Sequence, residues 1–473
     1  MTSGVCQKIP YDKRRMDFSQ HFKGKKVSLM RVGLIGRGIG DAAYIAEMGG
    51  EVLVVDDAPQ SVMQPAVDAL GAYSNVSFKF GPYDFADFKD ADMVVVGAGA
   101  LLEEPVLLAC KEAGVRLVQS AALFAELSHV PIIGVTGTRG KSTVTHMIHH
   151  VLSIVTEGAP VLLGGNVRGV SNLQLLKDVA EDSVCVMELD SWQLQGFGWA
   201  EMSPQIAIFT SFMEDHLNYY ERGGKSKEEA MELYFKDKAQ IFLHQEESGV
   251  LVTTPEVFGW IKKIFPRHSL GQEVILADSS VIPEDCLLAM PGEHNRLNAA
   301  LAYEALKAIG LTEEEIFDGL ASFPGVPGRL EYLGEVKEGV KIYNDNNATT
   351  PAATMAGIKA VATGKNVVLI MGGADKGLDF APLLAVIGTQ VKSTVLLPGT
   401  GTELIRGTVV GEVVLSLKEA VTAALAVSER GDVILFSPAF ASFGLFKNEY
   451  ERNDQFVQLI REKMPDEKDY TSR

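Results

Sequence analysis

Three stretches predict an α/β fold in three domains. A glycine turn joins two strand-like runs near the N-terminus. A second turn delivers Lys-Ser-Thr into a helix near residue 140, and beyond residue 325 a series of strand ends carries polar loops. At 473 residues the chain is too long for one core and divides into about three domains of ~150 residues each. The expected divisions are 1–119 (Rossmann-like), 120–324 (central, P-loop ATPase-like) and 325–473 (Rossmann-like C-terminal α/β domain).

Hydrophobic residues make up 47% and charged residues 22%, which fits globular domains and excludes wholesale disorder. A formal charge of −18 works against nonspecific grip on nucleic acid or an anionic membrane, so neither is an expected partner. The four cysteines (Cys6, Cys110, Cys185, Cys286) form no C-x-x-C pair and suit a reducing cytoplasm. The polar, basic leader through Lys26 has no apolar export core, and no apolar run of membrane-spanning length follows. A cytoplasmic protein is expected.

Val27 to Ile35 reads as a buried strand ending in Gly36-Arg37-Gly38-Ile39-Gly40. A helix from about Asp41 to Met48 and a strand Glu51 to Val55, ending at Asp56-Asp57, complete a βαβ unit of Rossmann type. Asp41 stands where the dinucleotide fingerprint takes a third Gly or Ala, so a nucleotide-like ligand fits without a nicotinamide cofactor being required. Asp56 is placed to accept hydrogen bonds from a ribose or base. Gly36 and Gly38 fit ligand contact and tight helix packing equally well. Strand-like runs at Val76 to Phe80, Met93 to Val96 and Val115 to Val118 follow, with Gly97-Ala98-Gly99 as a second small-residue turn at a strand's carboxyl end.

A helix over Ser120 to Val130 leads into Ile132-Ile133-Gly134-Val135-Thr136-Gly137-Thr138-Arg139-Gly140-Lys141-Ser142-Thr143 and a helix through Val155. An apolar strand breaking into glycines and then a helix makes a phosphate cradle. Gly137 and Gly140 admit the anion, the amides at the helix start point at it, Lys141 neutralises it, and Ser142 or Thr143 reaches Mg²⁺. Strict phosphate-loop spacing takes glycine at position 135, where Val135 stands; the alternative is a glycine turn with an exposed lysine. The strand Pro160 to Leu163, the turn Gly164-Gly165-Asn166, a helix near Asn172 to Ala180 and the strand Ser183 to Met187 come next. Glu188, at that strand's end, is a candidate for Mg²⁺. Strand Gln205 to Phe209 leads to Met213-Glu214-Asp215-His216, which reads as a metal-binding cluster or as a solvated turn. In the helix Ser226 to Phe242, composition makes Lys238 an ordinary surface lysine. Gly292-Glu293-His294-Asn295-Arg296-Leu297-Asn298 opens a helix to about Ala308, with His294, Asn295 and Asn298 on one face where amides can meet a nucleobase or ribose.

Phe323 to Arg329 is a Pro/Gly-punctuated connector. After it, strands at Arg329 to Glu335, Lys341 to Tyr343, Val367 to Ile370, Ser393 to Leu397 and Val433 to Phe436 alternate with helices. Polar residues collect at their ends, in Asn344 to Thr350, Gly372 to Gly377 and Ser437 to Ser442. Three such loops read as one wall of an active site, although each alone fits ordinary loop punctuation.

These residues resemble the Mur ligase family of ATP-dependent amide-bond ligases. Thr136 to Thr143, Glu188, Glu214-Asp215-His216, Gly292-x-His294-Asn295-x-x-Asn298 and Pro327-Gly328-Arg329-Leu330-Glu331 fall in the family's order. Asn344-Asp345 with Ala348-Thr349, Gly372 to Phe380, and Ser437 to Phe443 with Phe446-Lys447-Asn448 and Arg452 resemble the branch that adds D-glutamate. The resemblance implies three substrates: ATP, UDP-N-acetylmuramoyl-L-alanine and D-glutamate. It implies phosphorylation of the substrate carboxylate to an acyl phosphate, attack by the D-glutamate amine, and Mg²⁺ on Ser142, Glu188 and His216. It also implies catalytic roles for Lys141, Glu188, His216, Asn166 and Lys238, the last as a carbamate. ATP falls to Gly137, Thr138, Gly140, Lys141, Ser142, Thr143, His294, Asn295, Asn298, Arg329 and Asp345. Gly38, Ile39 and Asp56 fall to the uridine diphosphate; Thr349, Lys376 and Ser442 fall to the D-glutamate carboxylates. A monomer is expected. Arg139, Asp190, Asn347 and Phe440 depart from residues common in the family. The competing readings are a relative that adds another amino acid, a nucleotide switch that forms no amide, and a dehydrogenase resting on the Gly36 turn alone.

Overall fold

The computed structural model describes residues 16–33, 36–156, 158–267, 270–336 and 339–464. Its first sheet comprises β1 (Lys26–Met30), β2 (Glu51–Asp56), β3 (Val76–Phe80), β4 (Met93–Val96) and β5 (Arg116–Val118), all parallel in the order β3-β2-β1-β4-β5. Strand order reverses between β1 and β4, and at such a switch point the connections diverge and leave a crevice beyond the strands' carboxyl ends. β-Branched runs suit strands covered on both faces. In β4, Met93 and Val95 enter one core while Val94 and Val96 enter the other.

The second sheet is also parallel: β6 (Ile132–Thr136), β7 (Val161–Gly165), β8 (Val184–Glu188), β9 (Ile206–Phe209), β10 (Val250–Thr253) and β11 (Glu273–Leu276), ordered β11-β10-β9-β6-β8-β7. Both sheets belong to one compact unit, Met1–Asp278 with Ala300–Gly319, and share a core that joins Val27 and Leu29 to Phe209 and Leu251.

A second compact unit, Ser279–Ala299 with Leu320–Arg473, holds the third sheet. It contains β12 (Glu331–Val336), β13 (Val340–Asn344), β14 (Val367–Gly372), β15 (Val391–Leu397), β16 (Gly411–Val413) and β17 (Val433–Phe436) in the order β12-β13-β17-β14-β15-β16. β12 pairs antiparallel with β13; the other pairings are parallel. Val368 and Ile370 of β14 face one core, and Leu369 and Met371 the other.

Several elements differ from expectation. β1 ends at Met30, and Leu34 and Ile35 of the expected first strand lie outside the described residues, as do Cys6 and the leader through Arg15. The following helix starts at Arg37 rather than near Asp41, because Gly36 takes a left-handed φ of 94° and turns the chain before it. The helix expected over Asn172 to Ala180 is a short 3₁₀ segment, Gln174–Asp178. Side chains occupy the backbone there: Gly165 N donates to Asn172 Oδ1 at 2.7 Å and Leu173 N to Asp41 Oδ1 at 3.0 Å. Among the described residues no helix is long and apolar enough to cross a membrane.

Candidate active site

The carboxyl ends of β6, β8 and β9 are adjacent, which places the phosphate-loop residues, Glu188 and the His216 loop along one sheet edge. Val135 lies opposite Glu188 in register and is fully buried, so the strand runs on to Thr136 and the glycine missing from position 135 is not a loop residue at all. The turn starts at Gly137, whose φ is 145° and where a Cβ would fall 2.0 Å from Thr210 Oγ1. Gly140, at φ 87°, precedes the helix Lys141–Val155. That helix start aims its first amides at the cradle and buries Ser142 and Thr143.

The loop is tied to the end of β9. Thr138 N donates to Ser211 O at 2.8 Å, and Thr138 Oγ1 exchanges bonds with Met213 O (3.2 Å) and Met213 N (3.1 Å). His216 follows with a left-handed φ of 55°, unusual for a side chain of its size. Burial holds its imidazole below the usual range, opposed by Asp215 at 3.9 Å, which favours the neutral, ligating form. Arg139 reaches the same Asp215 carboxylate at 3.9 Å. Asp190 caps the helix Ser191–Trp199, accepting from Gln193 N at 2.8 Å, so that departure serves the fold.

Lys238 is not a surface lysine. It is 1% exposed on the helix Lys227–Ala239, lies 4.8 Å over the Tyr234 ring and donates to Gly137 O at 2.9 Å. Lys141 Nζ donates to the same carbonyl at 2.9 Å and to Thr138 O at 3.2 Å. Burial first, and then the Lys141 cation, hold the Lys238 ammonium well below its ordinary range. Its neighbour Asp237 accepts from Gln195 Nε2 (2.7 Å) and Tyr220 OH (2.9 Å), and burial pushes its carboxyl up to about 6.

Asn166 joins this edge to the first sheet. Its N–H donates to Glu188 O at 2.7 Å, and Arg37 Nη1 donates to its Oδ1. Arg37 and Gly38 line a cavity of about 200 Å³ at the β1/β4 switch point, together with Arg31, Gly97, Gln119 and Gln193. Gly38 also packs tightly, since a Cβ there would fall 2.4 Å from Val32 O, whereas a Cβ on Gly36 would meet no described atom within 4 Å and that glycine serves the turn. Ile39 packs against the core. Asp56 is buried and accepts from Ala58 N at 3.1 Å; burial raises its carboxyl. Asp41 accepts from Ser171 Oγ at 2.6 Å and Leu173 N at 3.0 Å, so the carboxylate in the fingerprint's third position bolts the first sheet's helix to the segment after β7.

In the second unit, β13, β17 and β14 are neighbours and their loops are knitted together. Ala439 N donates to Ala348 O (2.9 Å), and Ala374 and Ala441 exchange two backbone bonds (3.0 and 3.1 Å). Lys376 Nζ donates to Thr349 Oγ1 at 2.9 Å, and the buried Ser442 follows Ala441. Beneath them Asp345 accepts from Ser437 Oγ at 2.9 Å and Leu330 N at 3.1 Å; burial pushes its carboxyl up to about 7, against the pull of Arg329. Arg452, also buried, donates to Asn346 Oδ1 (2.7 Å) and Asn346 O (2.9 Å). Phe440 stacks on Phe380 at 4.5 Å over Gly401, where a Cβ would meet its ring at 2.2 Å, so this departure is accommodated by packing. Asn298 Nδ2 donates to Asn295 Oδ1 at 3.2 Å, and Asn295 Nδ2 to Pro291 O at 2.9 Å. His294 begins the same helix, and burial lowers its imidazole. These three stand on a different element of the unit from Arg329 and Asp345.

Sequence reasoning passed over Arg37, Arg31 and Asp237. A cation set between two glycines of a strand-to-helix turn was the available signal for Arg37; nothing local marks Asp237.

Comparison with known proteins agrees with this arrangement. The Mur ligase middle domain matches residues 135–263, and the Mur ligase, glutamate ligase domain matches residues 328–440. UDP-N-acetylmuramoylalanine–D-glutamate ligase of Roseiflexus sp. (strain RS-1) is 30% identical over 92% of this chain and 98% of its own. The protein of the same name from Geobacillus kaustophilus (strain HTA426) is 31% identical over 91% and 96%. Among solved structures, MurF ligase from Thermotoga maritima in complex with ADP superposes with a TM-score of 0.58 at 15% identity, covering 95% of this chain and 97% of that one, which establishes the shared fold. With full-length relatives at this identity and both family domains in place, the chain belongs to the Mur ligase family.

Proposed function

We propose that the protein joins D-glutamate to UDP-N-acetylmuramoyl-L-alanine in an ATP-dependent, ADP-forming reaction of peptidoglycan precursor synthesis. The observation that carries this reading is the match to relatives of that name across more than nine-tenths of the chain.

A free carboxylate is a poor electrophile, so activation comes first. The γ-phosphoryl group of ATP passes to the terminal carboxylate of the alanyl substrate, giving an acyl phosphate and ADP. The amine of D-glutamate then adds to the carbonyl carbon, phosphate leaves, and the amine's surplus proton is lost as the amide forms. Lys141 and the amides of Gly137, Gly140, Ser142 and Thr143 hold the phosphates, offering preorganised donors where charge develops, while Thr138, its own amide spent on Ser211 O, keeps the loop's shape. Asn166 meets the reacting anion. The buried Glu188 carboxylate and Ser142 hydroxyl are hard oxygen donors suited to Mg²⁺, which takes few protein ligands beside substrate phosphates, and neutral His216 would add a nitrogen donor. Bound there, Mg²⁺ offsets the repulsion between the two anions of the first step.

Lys238 acts as a carbamate: its neutral amine adds to CO₂ and releases a proton, converting a buried cation into an anion beside Lys141. The lowered basicity of this lysine supports that reading. His294, Asn295 and Asn298 meet the adenosine and Arg329 its ribose and phosphates, with Asp345, its oxygens spent on Ser437 and Leu330, serving the ATP site by fixing the segment beside Arg329. Gly38, Ile39 and Asp56 meet the uridine diphosphate. Thr349, Lys376 and Ser442 take the two D-glutamate carboxylates. Residues 1–119, 120–324 and 325–473 form the three domains, and the protein works as a cytoplasmic monomer.

Phosphate release from ATP and Mg²⁺ with UDP-N-acetylmuramoyl-L-alanine tests the assignment. D-Glutamate, L-glutamate, L-alanine, glycine, lysine and diaminopimelate are compared. Turnover with D-glutamate alone, with the amide product seen by mass, is expected. Turnover indifferent to the amino acid overturns the assignment in favour of a nucleotide switch.

A further inference from the structure

Arg37 belongs to the first sheet's turn, yet its side chain ends on Asn166, 129 positions further along the chain. We propose that Arg37 is a positioning residue for the acyl-phosphate step, holding the Asn166 carboxamide with its oxygen toward the guanidinium and its NH₂ toward the reacting anion. The inference rests on the ligase reading above.

The argument begins with what each group can donate. A guanidinium carries only N–H donors, so whichever Asn166 atom faces it must be the oxygen, however the amide is drawn. The NH₂ is then the end left for a carboxylate or phosphoryl oxygen. An asparagine free to turn over presents either end, and its carbonyl repels an anion. Orientation therefore decides whether Asn166 helps or hinders.

The backbone beneath Asn166 is already fixed. Gly165 takes φ 82°, a Cβ there would fall 2.0 Å from Glu188 O, its N–H donates to Asn172 Oδ1 at 2.7 Å, and Asn166 N donates to Glu188 O at 2.7 Å. Only the side-chain torsions remain, and Arg37 settles them. Arg37 itself is held at the first position of the helix Arg37–Glu47, at the mouth of the cavity that it lines with Gly38 and Asn172. The side chain that lines the cavity thus also orients the amide at the neighbouring sheet edge.

Steady-state kinetics of Arg37→Met, Arg37→Lys, Asn166→Ala and the Arg37→Met/Asn166→Ala double variant test this, with phosphate release and amide product as readouts. Arg37→Met is expected to lower kcat about tenfold while KM for ATP and D-glutamate stays within about twofold. Arg37→Lys, which still only donates, should recover most of the loss. In the Asn166→Ala background Arg37→Met should change kcat less than about twofold, because the group through which it acts is gone. Multiplicative losses in the double variant, or a loss confined to KM for the uridine nucleotide, overturn the proposal. Wild-type protein without D-glutamate-dependent phosphate release overturns the ligase reading instead, a result visible before any variant is made.

Discussion

The loops beyond β6, β8 and β9 bury a lysine, whereas those beyond β13, β17 and β14 bury a carboxylate. Lys238 shares Gly137 O with a second cation, and burial together with that neighbour drives it toward the neutral amine. Asp345 sits beneath its loops with both oxygens engaged, and burial drives it toward the neutral acid. Each edge thus holds one buried ionisable group pushed toward its neutral form, for different ends. At the phosphate loop the push toward the neutral amine favours the proposed addition to CO₂. At the third sheet the carboxyl is a bolt that sets the loops bearing Thr349, Lys376 and Ser442.

Substitutions should separate the chemistry of the first edge from the binding of the second. Lys141→Met removes the phosphate-facing cation and is expected to lower ATP turnover about 10³-fold with the melting temperature little changed; a drop under tenfold would contradict its assignment. Lys238→Ala should cost about 10²-fold and regain part of its activity with added short carboxylates, which can stand in for the carbamate. Absence of rescue would count against that modification. Lys376→Met should act differently, raising KM for D-glutamate about tenfold with KM for ATP unchanged, and equal changes in both would erase the contrast between the edges.

The smallest effect concerns Asp345. Its carboxyl is raised from 3.8 to about 7 in the folded state, so the native protein keeps a proton that the unfolded chain has released. The associated stability is full below about 4 and is lost as pH climbs through about 7, on the order of 1 kcal/mol per pH unit. Asp345→Asn removes this titration while keeping the shape. Denaturant midpoints between pH 5 and 8 should fall more steeply for the wild type than for the variant, and parallel slopes would show that Asp345 is already ionised.

Much of the molecule was legible because its signals are local. β-Branched runs at Val76–Phe80, Met93–Val96 and Val433–Phe436 became strands with the expected bounds, and the turn at Gly137 to Gly140 opens into its helix. What stayed hidden depends on residues distant in sequence. Lys238 reads as a solvated side chain until Gly137 O, 101 positions earlier, meets it. The helix expected after Asn172 was forestalled by Asp41, more than a hundred positions earlier, which takes the backbone N–H of Leu173. The short strands β10, β11 and β16 lack a period long enough to stand out, and pairing with longer neighbours makes them.

The turn around Gly137 also sets how this protein can drift. Gly137 is pressed to 2.0 Å of Thr210 Oγ1 at a φ that L side chains rarely adopt, so no other residue can be admitted there. Two positions on, the main chain of Arg139 carries bonds that shape the loop: its N–H donates to Ser211 Oγ at 2.9 Å and its carbonyl accepts from that hydroxyl at 3.0 Å. Its side chain reaches further out, to the Asp215 carboxylate at 3.9 Å. In a saturation library of this turn, survivors should be monotonous at position 137 and varied at 139, because any residue but proline there supplies the same backbone bonds and only the longer reach to Asp215 depends on the side chain.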